Sequence, residues 1–177
     1  MRRTLIVAAL AVVAISGSAM AADTTDQQTD TAKAACKAEK QGMGTVAFKK
    51  TYTVKSTAKA MAACVAKAEP VVAEATENAA KACKTERAAD TTAFTEKYGS
   101  NKSKKNAFGK CVSSKAQETV EEETEARVDA AAACTTEREA DADAFKAKYG
   151  TNKNKKNAFG KCVSATAKAQ NDDGDDA

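Results

Sequence analysis

The ten-residue segment KKNAFGKCVS at residues 104–113 decides the fold, because it occurs a second time, unchanged, at residues 155–164. The match extends beyond the segment, since Ala-Cys-Lys-Thr-Glu-Arg at residues 82–87 returns as Ala-Cys-Thr-Thr-Glu-Arg at residues 133–138. A less similar copy lies at residues 34–67. Repetition of this kind predicts an array of similar supersecondary units.

The cysteines have the same spacing in all three copies, 28 residues from the first cysteine to the second. Six cysteines allow 15 pairings, and the constant spacing favours pairing within each copy. The expected disulfides are Cys36–Cys64, Cys83–Cys111 and Cys134–Cys162. A metal site is disfavoured, because the chain has neither histidine nor a Cys-x-x-Cys pair.

Each copy is expected to form an αα-hairpin. Cys83, Phe94 and Tyr98 fall on one stripe of a first helix, and the third copy keeps the same stripe. A polar stretch follows, and then Phe108 and Cys111 begin the stripe of a second helix. The predicted fold class is therefore all-α, with three tandem αα-hairpin repeats that are each stapled by one disulfide and joined by helical connectors.

The ends of the helices carry capping signals. Gly99 and Gly150 follow the first helices, where a glycine C-cap is expected, and Ser103 or Asn154 is expected to N-cap the second helix. Residues 110–149 contain neither glycine nor proline. This stretch predicts either one continuous helix or a break near residues 119–124 with a compact bundle.

The first copy is expected to be the least regular. Pro70, in the connector that follows it, is expected to start a new helix rather than continue one. Gly42 and Gly44 lie within its first helix, and each weakens that helix by about 1 kcal/mol.

Large apolar side chains are scarce. Alanine accounts for 42 of the 177 residues, and from residue 22 onward the chain has no Leu, Ile or Trp. A hairpin packed with alanine gains little from burial, whereas closing a 29-residue loop with a disulfide removes about 3.6 kcal/mol of unfolded-state entropy. We therefore expect the disulfides to decide whether the chain folds.

The first residues have the pattern of a secretory signal: Arg2 and Arg3, an apolar run at residues 5–15, and small residues at 18–22. Cleavage is expected after Ala21, leaving no transmembrane segment in the secreted, extracellular product. The expected division of the chain is a signal peptide (1–21), a flexible leader (22–31), a degenerate hairpin (32–69), two regular hairpins (70–117 and 118–169) and an acidic disordered tail (170–177).

Lysines concentrate at the expected hairpin tips. A helix N-terminus beside several lysines suits phosphate, sulfate or carboxylate groups. The alternative is charge neutralisation between neighbouring helices, together with ordinary solubility. The candidate anion-binding residues are Lys102, Lys104, Lys105, Lys153, Lys155 and Lys156.

Other chemistry is disfavoured. Without histidine, and with every cysteine expected in a disulfide, we predict no enzyme activity, no cofactor and no metal site. Arg87 and Arg138 are each followed by an aspartate three residues later, which favours surface ion pairs over an acid–base pair. Nucleic acid is a weaker candidate partner than an anionic envelope polymer or surface, because only Tyr98 and Tyr149 remain for base stacking.

The stretch from Lys97-Tyr98-Gly99 through KKNAFGKCVS, with its copy at residues 148–164, resembles a motif of an uncharacterised family of small secreted bacterial proteins. The resemblance implies export and no particular activity or site. The predicted function is a secreted, non-enzymatic helical repeat protein that serves as a structural or binding module of the extracellular space or cell envelope. The alternative is a secreted factor, of an adhesion or antimicrobial-like kind, that binds polyanions or membrane surfaces through its lysine-rich tips.

Overall fold

A computed structural model describes residues 23–172, which form six α-helices and contain no strand. The all-α prediction is confirmed. The helices are α1 (Asp23–Thr51), α2 (Thr57–Ala89), α3 (Thr91–Tyr98), α4 (Ala107–Ala140), α5 (Ala142–Tyr149) and α6 (Ala158–Asp172). Within this part of the chain, none of the helices has the length and apolar content that crossing a membrane requires. The predicted signal peptide and residues 173–177 of the predicted tail lie outside the described residues.

Three disulfides join neighbouring helices, with Cα–Cα distances of 5.9 to 6.1 Å. They are Cys36–Cys64 between α1 and α2, Cys83–Cys111 between α2 and α4, and Cys134–Cys162 between α4 and α6. These are the pairs that the cysteine spacing favours. All six cysteines are buried, with exposed fractions of 1% or less.

Helix α4 is the central element, and it packs against α1, α2 and α6. Helix α6 is antiparallel to α4, because Arg138 lies over the ring of Phe159 while Cys134, one turn earlier, is bonded to Cys162. Helix α2 is also antiparallel to α4, because Arg87 lies over Phe108 while Cys83, one turn earlier, is bonded to Cys111. Helix α1 is parallel to α4, because Glu39 pairs with Arg127 while Lys50, further along α1, lies near Arg138, further along α4. We call the loops between the paired helices tip 1 (residues 52–56), tip 2 (residues 99–106) and tip 3 (residues 150–157).

The predicted first helices of the second and third hairpins are each two helices. Helix α2 ends at Ala89, and Asp90 is extended (φ −151°, ψ 98°) before α3 begins. The Asp90 carboxylate accepts a hydrogen bond of 2.9 Å from the N–H of Ala93, so it caps the new helix. Asp141 does the same between α4 and α5. The expectation of one unbroken stripe from cysteine to tyrosine was therefore wrong.

Helix α1 has its irregularity at the corresponding place. It contains a kink at Gly44, eight residues after Cys36, where the backbone has φ 78° and ψ 157°. A positive φ of this kind favours glycine. The predicted irregularity of the first copy therefore has a specific form, because α1 bends where the other two copies are broken by an aspartate.

The connectors are continuous helices. Pro70 lies inside α2 and does not start a new helix, contrary to expectation. Pro70 and Ala66 are both exposed, so the Ala66 carbonyl that loses its N–H partner lies on the solvent side. Helix α4 likewise runs through residues 119–124 without a break. The helix boundaries therefore do not coincide with the predicted limits at 69/70 and 117/118.

Two other expected boundaries also differ. Residues 23–31 of the predicted flexible leader belong to α1, and the Thr29 hydroxyl donates a hydrogen bond of 3.0 Å to Glu69 of α2. Residues 170–172 of the predicted disordered tail belong to α6. Helix α1 therefore begins earlier in the chain than predicted, and its contact with α2 extends beyond the segment between the paired cysteines.

Buried residues in the described part of the chain form small clusters, and three of these clusters each surround one disulfide. A fourth cluster, between α1, α2 and α4, consists of alanines with Val72 and Val120. The largest side chains with almost no exposure are Phe48, Val163 and the six cysteines. The disulfide sulfur atoms therefore occupy core positions that large aliphatic side chains fill in proteins with more of those residues.

Candidate functional site

Tips 2 and 3, which carry the predicted anion-binding lysines, have the same conformation. In tip 2, the Asn106 side-chain oxygen accepts hydrogen bonds from the N–H groups of Ser100 (3.2 Å) and Asn101 (3.4 Å). The Asn106 amide in turn donates to the Ser100 hydroxyl at 2.7 Å. In tip 3, Asn157 makes the same three bonds with Thr151 and Asn152. Each tip is therefore closed by one asparagine.

The second helices begin later than predicted. Ser103 and Asn154 do not cap α4 and α6, which start at Ala107 and Ala158. Lys104 and Lys155 precede these starts with positive φ angles of 53° and 56°, a conformation that a right-handed helix does not admit. Asn106 directly precedes α4, and its side chain makes no capping bond, because it is bonded back across the tip.

Gly99 and Gly150 have a different role from the one expected. Their φ angles are −74° and −77°, so they are not left-handed C-caps. A Cβ on Gly99 would lie 2.6 Å from the Cβ of Lys104, and a Cβ on Gly150 would lie 2.6 Å from the Cδ of Lys155. The same Cβ atoms would lie 2.5 Å from the carbonyl oxygen of Thr95 and 2.6 Å from that of Lys146, so a backbone carbonyl and the stem of a tip lysine together leave room only for glycine.

The six tip lysines are available to outside anions. None of them has a carboxylate oxygen within 4.0 Å among the described side chains of residues 26–171. Five of them are exposed, and Lys104 is half-buried. Neither α4 nor α6 has an acidic residue in its first turn. Each tip therefore carries three amines without an internal counter-charge.

Lysines below the tips are neutralised instead. Lys97 donates a hydrogen bond of 2.8 Å to Glu86, and Tyr98 donates to the same carboxylate at 3.1 Å. The hydrogen bond from Lys97 lowers the pKa of Glu86 below its usual value. Glu137 has the same arrangement with Lys148 and Tyr149. Charge neutralisation between neighbouring helices, the alternative prediction, therefore applies to the lysine just before each tip but not to the lysines within the tip.

In the first hairpin, the equivalent glutamate lies in a buried network. Glu39 is 4% exposed, and it accepts hydrogen bonds from the Tyr52 hydroxyl (2.9 Å) and from Arg127 Nε of α4 (3.1 Å). Arg127 also donates to the Tyr52 oxygen at 2.9 Å. Burial raises the pKa of Tyr52 above its usual value and outweighs the opposing Arg127 charge. This network joins the first hairpin to α4.

These glutamates were not among the predicted functional residues. A signal for them exists, because a glutamate follows the first cysteine of every copy by three residues, at Glu39, Glu86 and Glu137. At that spacing, each glutamate lies on the helix face that carries its cysteine. The tyrosine that donates a hydrogen bond to each glutamate lies in the segment that follows the helix break or kink.

Arg87 and Arg138 do not form the expected ion pairs with aspartates. Each guanidinium lies over a phenylalanine ring of the helix to which its own helix is disulfide-bonded, Arg87 of α2 over Phe108 of α4 at 5.0 Å and Arg138 of α4 over Phe159 of α6 at 5.1 Å. The aspartate expected as partner of Arg87 is Asp90, which instead caps α3. Cation–π stacking therefore replaces the predicted salt bridges.

A shallow groove of about 370 Å³ lies beside the kink of α1. It is lined by Met43, Val46 and Phe159, with Lys50 and Arg138 at its edge. Val46 is 63% exposed and is the one large apolar side chain that is exposed to this degree in the described residues. The groove is open, and Thr45, Thr135 and Glu139 also line it.

The fold and the tips define a disulfide-linked all-α bundle with two lysine-rich loops of matching structure. Residues 23–172 contain no group of His, Cys, Asp and Glu side chains arranged to hold a metal ion. Comparison of the chain with protein-family models, with curated proteins and with solved structures finds no match. Function is therefore inferred from the residues alone.

Proposed function

We propose that this chain is a secreted, non-enzymatic helical repeat protein that serves as a structural or binding module of the extracellular space or cell envelope. The observation that carries this proposal is that all six cysteines are paired and buried in three disulfides. Disulfides persist in oxidising compartments, and a core that depends on them is poorly suited to a reducing cytosol. The basic and apolar start of the chain supports the same location.

The location is tested by expressing the full chain in a bacterial host and analysing the intact mass of the protein outside the cytoplasm. The expected product begins at Ala22 and is six mass units lighter than its fully reduced form, because three disulfides remove six hydrogens. Cytoplasmic protein with free thiols and an intact N-terminus would contradict export. The non-enzymatic assignment would be contradicted by hydrolysis of an ester, glycoside or peptide substrate that one point substitution abolishes.

A second function, binding to polyanions or anionic membrane surfaces, is favoured by the tips. Among the described side chains, none of the three lysines at each tip forms an ion pair, and one asparagine holds each tip in the same conformation. Tyr98 and Tyr149 are half-buried, with Lys97 and Lys148 over their rings at 4.8 and 4.7 Å, so they do not offer free faces for base stacking. Phosphate or sulfate groups on a flexible polymer suit the tips better than nucleic acid bases.

Salt elution from a sulfated-polymer column tests this function. Wild-type protein should elute at a higher salt concentration than a variant in which all six tip lysines are replaced by serine. A control variant loses six lysines from the helices instead, so the net charge change is the same. The control replacements are at Lys33, Lys37, Lys40, Lys81, Lys84 and Lys168.

The control should retain most of the wild-type retention, because binding at the tips depends on the position of the charges and not on their total. Equal losses in the two variants would show that retention follows net charge alone and would contradict binding at the tips. Far-ultraviolet circular dichroism of each variant verifies that the helices are intact.

A further inference from the structure

The two lysine-rich tips lie at opposite ends of α4. Tip 2 directly precedes Ala107, the first residue of α4. Tip 3 directly precedes α6, whose Phe159 lies under Arg138 near the last turn of α4. Ala107 and Arg138 are 31 positions apart, which corresponds to about 47 Å along a helix. The tips therefore face away from each other.

The separation of the tips is held by covalent and packed structure. Helix α4 is unbroken between them and packs against α1, α2 and α6 along its length. A disulfide lies five residues after each closing asparagine, at Cys111 after Asn106 and at Cys162 after Asn157. Each tip is thus anchored within about two helical turns of its lysines.

The stretch of α4 between the tips is acidic. From residue 118 to residue 129 of α4 there are six carboxylates, and Arg127, the one basic residue of this stretch, is paired with Glu39. A polyanion that followed α4 from one tip to the other would pass these carboxylates. Because the screening length is about 8 Å at physiological salt, the two tips also act as independent sites. The carboxylates are Glu118, Glu121, Glu122, Glu123, Glu125 and Asp129.

The two ends are unequal. Tip 1 lies at the same end as tip 3, because the carbonyl oxygen of Thr51 is in direct contact with Gly160. Lys55 of tip 1 and Lys59 of α2 add two positive charges to this end. Tip 2 is the one tip at the opposite end. Replacing its lysines therefore changes that end without a neighbouring tip that could compensate.

We infer that the protein is a bivalent cross-linker that joins two separate linear polyanions bearing phosphate or sulfate groups, one at each end of α4. This inference rests on the proposed binding of polyanions at the tips. It adds that each end binds its own polymer segment, because the two tips are held at a fixed distance and the stretch of α4 between them is acidic. The product is a bridged pair of polymers about 47 Å apart.

The test uses long-chain polyphosphate in two batches, one labelled with a donor fluorophore and one with an acceptor. Wild-type protein should produce energy transfer between the batches at intermediate protein-to-polymer ratios, and the transfer should fall again in protein excess. The tip 2 variant, with Lys102, Lys104 and Lys105 replaced by serine, should still bind polyphosphate by anisotropy but lose most of the transfer. A control with Lys37, Lys40 and Lys168 replaced should retain it.

The outcomes separate the two proposals. No binding of polyphosphate by wild-type protein would overturn the polyanion function itself. Binding with no transfer at any ratio, or a tip 2 variant that transfers as well as wild type, would overturn bivalency and leave polyanion binding intact. Sedimentation without polymer should show a monomer, because a dimer that accounted for the transfer would also overturn bivalency.

Discussion

The backbone of Gly160, at the start of α6, lies directly against the carbonyl oxygen of Thr51, the last residue of α1. This contact brings the first hairpin against the third and leaves no space for a Cβ at residue 160. We predict that Gly160→Ala lowers the free energy of unfolding by about 1 to 3 kcal/mol, because the two backbones must separate. Urea denaturation followed by circular dichroism measures the change.

Gly109 provides a matched control, since it occupies the corresponding position in the other copy of KKNAFGKCVS. A Cβ at residue 109 meets nothing within 4 Å. Gly109→Ala should therefore leave stability unchanged or raise it by up to about 1 kcal/mol through helix propensity. If the two variants were equally stable, the contact between Thr51 and Gly160 would not be a constraint on the fold.

A second prediction concerns the buried pair of Glu39 and Arg127. Arg127→Met should lower the free energy of unfolding by about 3 kcal/mol or more, because it leaves the Glu39 carboxylate buried without its cation. Thermal and urea denaturation measure the loss. Adding Glu39→Gln to this variant should recover part of it, since no unpaired charge then remains. A single variant as stable as wild type would show that the pair does not hold α1 to α4.

Much of this fold could be predicted from local sequence, but this pair could not. Constant cysteine spacing and helical periodicity are properties of short segments, and they are sufficient for the hairpins and for the cysteine pairs. Glu39 and Arg127 are 88 positions apart, and no period in the sequence connects them. Their contact depends on α1 lying along α4, which is decided by how the hairpins pack together.

The helix breaks were missed for an energetic reason. Asp90 is surrounded by alanines and threonines, and one continuous helix fits the spacing of Cys83 and Phe94 equally well. The capping bond from Ala93 to Asp90 is worth about 1 kcal/mol, and Phe94 after the break is buried in a cluster with Ala107 and Cys111 of α4. Pro70 was expected to begin a new helix, but α2 continues through it because packing against α1 and α4 keeps this helix continuous.

The ionisation of Tyr52 provides a third prediction. Because its pKa is raised by burial, the folded state favours the neutral phenol, whereas an unfolded tyrosine ionises near pH 10. The stability that depends on neutral Tyr52 is therefore complete below about pH 10 and is lost as the pH rises further. The free energy of unfolding should therefore fall as the pH rises from about 10 to 12.

The Tyr52→Phe variant should show a flatter dependence over this range. Tyrosinate absorbance gives a second readout, since the chain has three tyrosines and no tryptophan. Part of the wild-type absorbance change should accompany alkaline unfolding and be missing in Tyr52→Phe. Identical slopes in wild type and Tyr52→Phe would contradict the buried network.

The fourth prediction concerns Gly44, where α1 bends. Gly44→Ala should lower stability by about 1 kcal/mol, because an L-residue is strained at a φ of 78° although nothing obstructs its Cβ. A D-alanine introduced by chemical synthesis or ligation should avoid this loss. Equal stabilities of the L- and D-alanine proteins would show that the bend does not depend on the positive φ.

The central claim is that the buried disulfides replace the large aliphatic side chains that this chain lacks. The most direct measurement is thermal unfolding, followed by circular dichroism at 222 nm, of the oxidised protein and of protein that was unfolded, reduced and returned to native buffer with reductant. Since removing one native disulfide from a small domain costs about 2 to 5 kcal/mol, the reduced chain should show no cooperative transition. A reduced chain that melts cooperatively at the oxidised protein's Tm would contradict the claim.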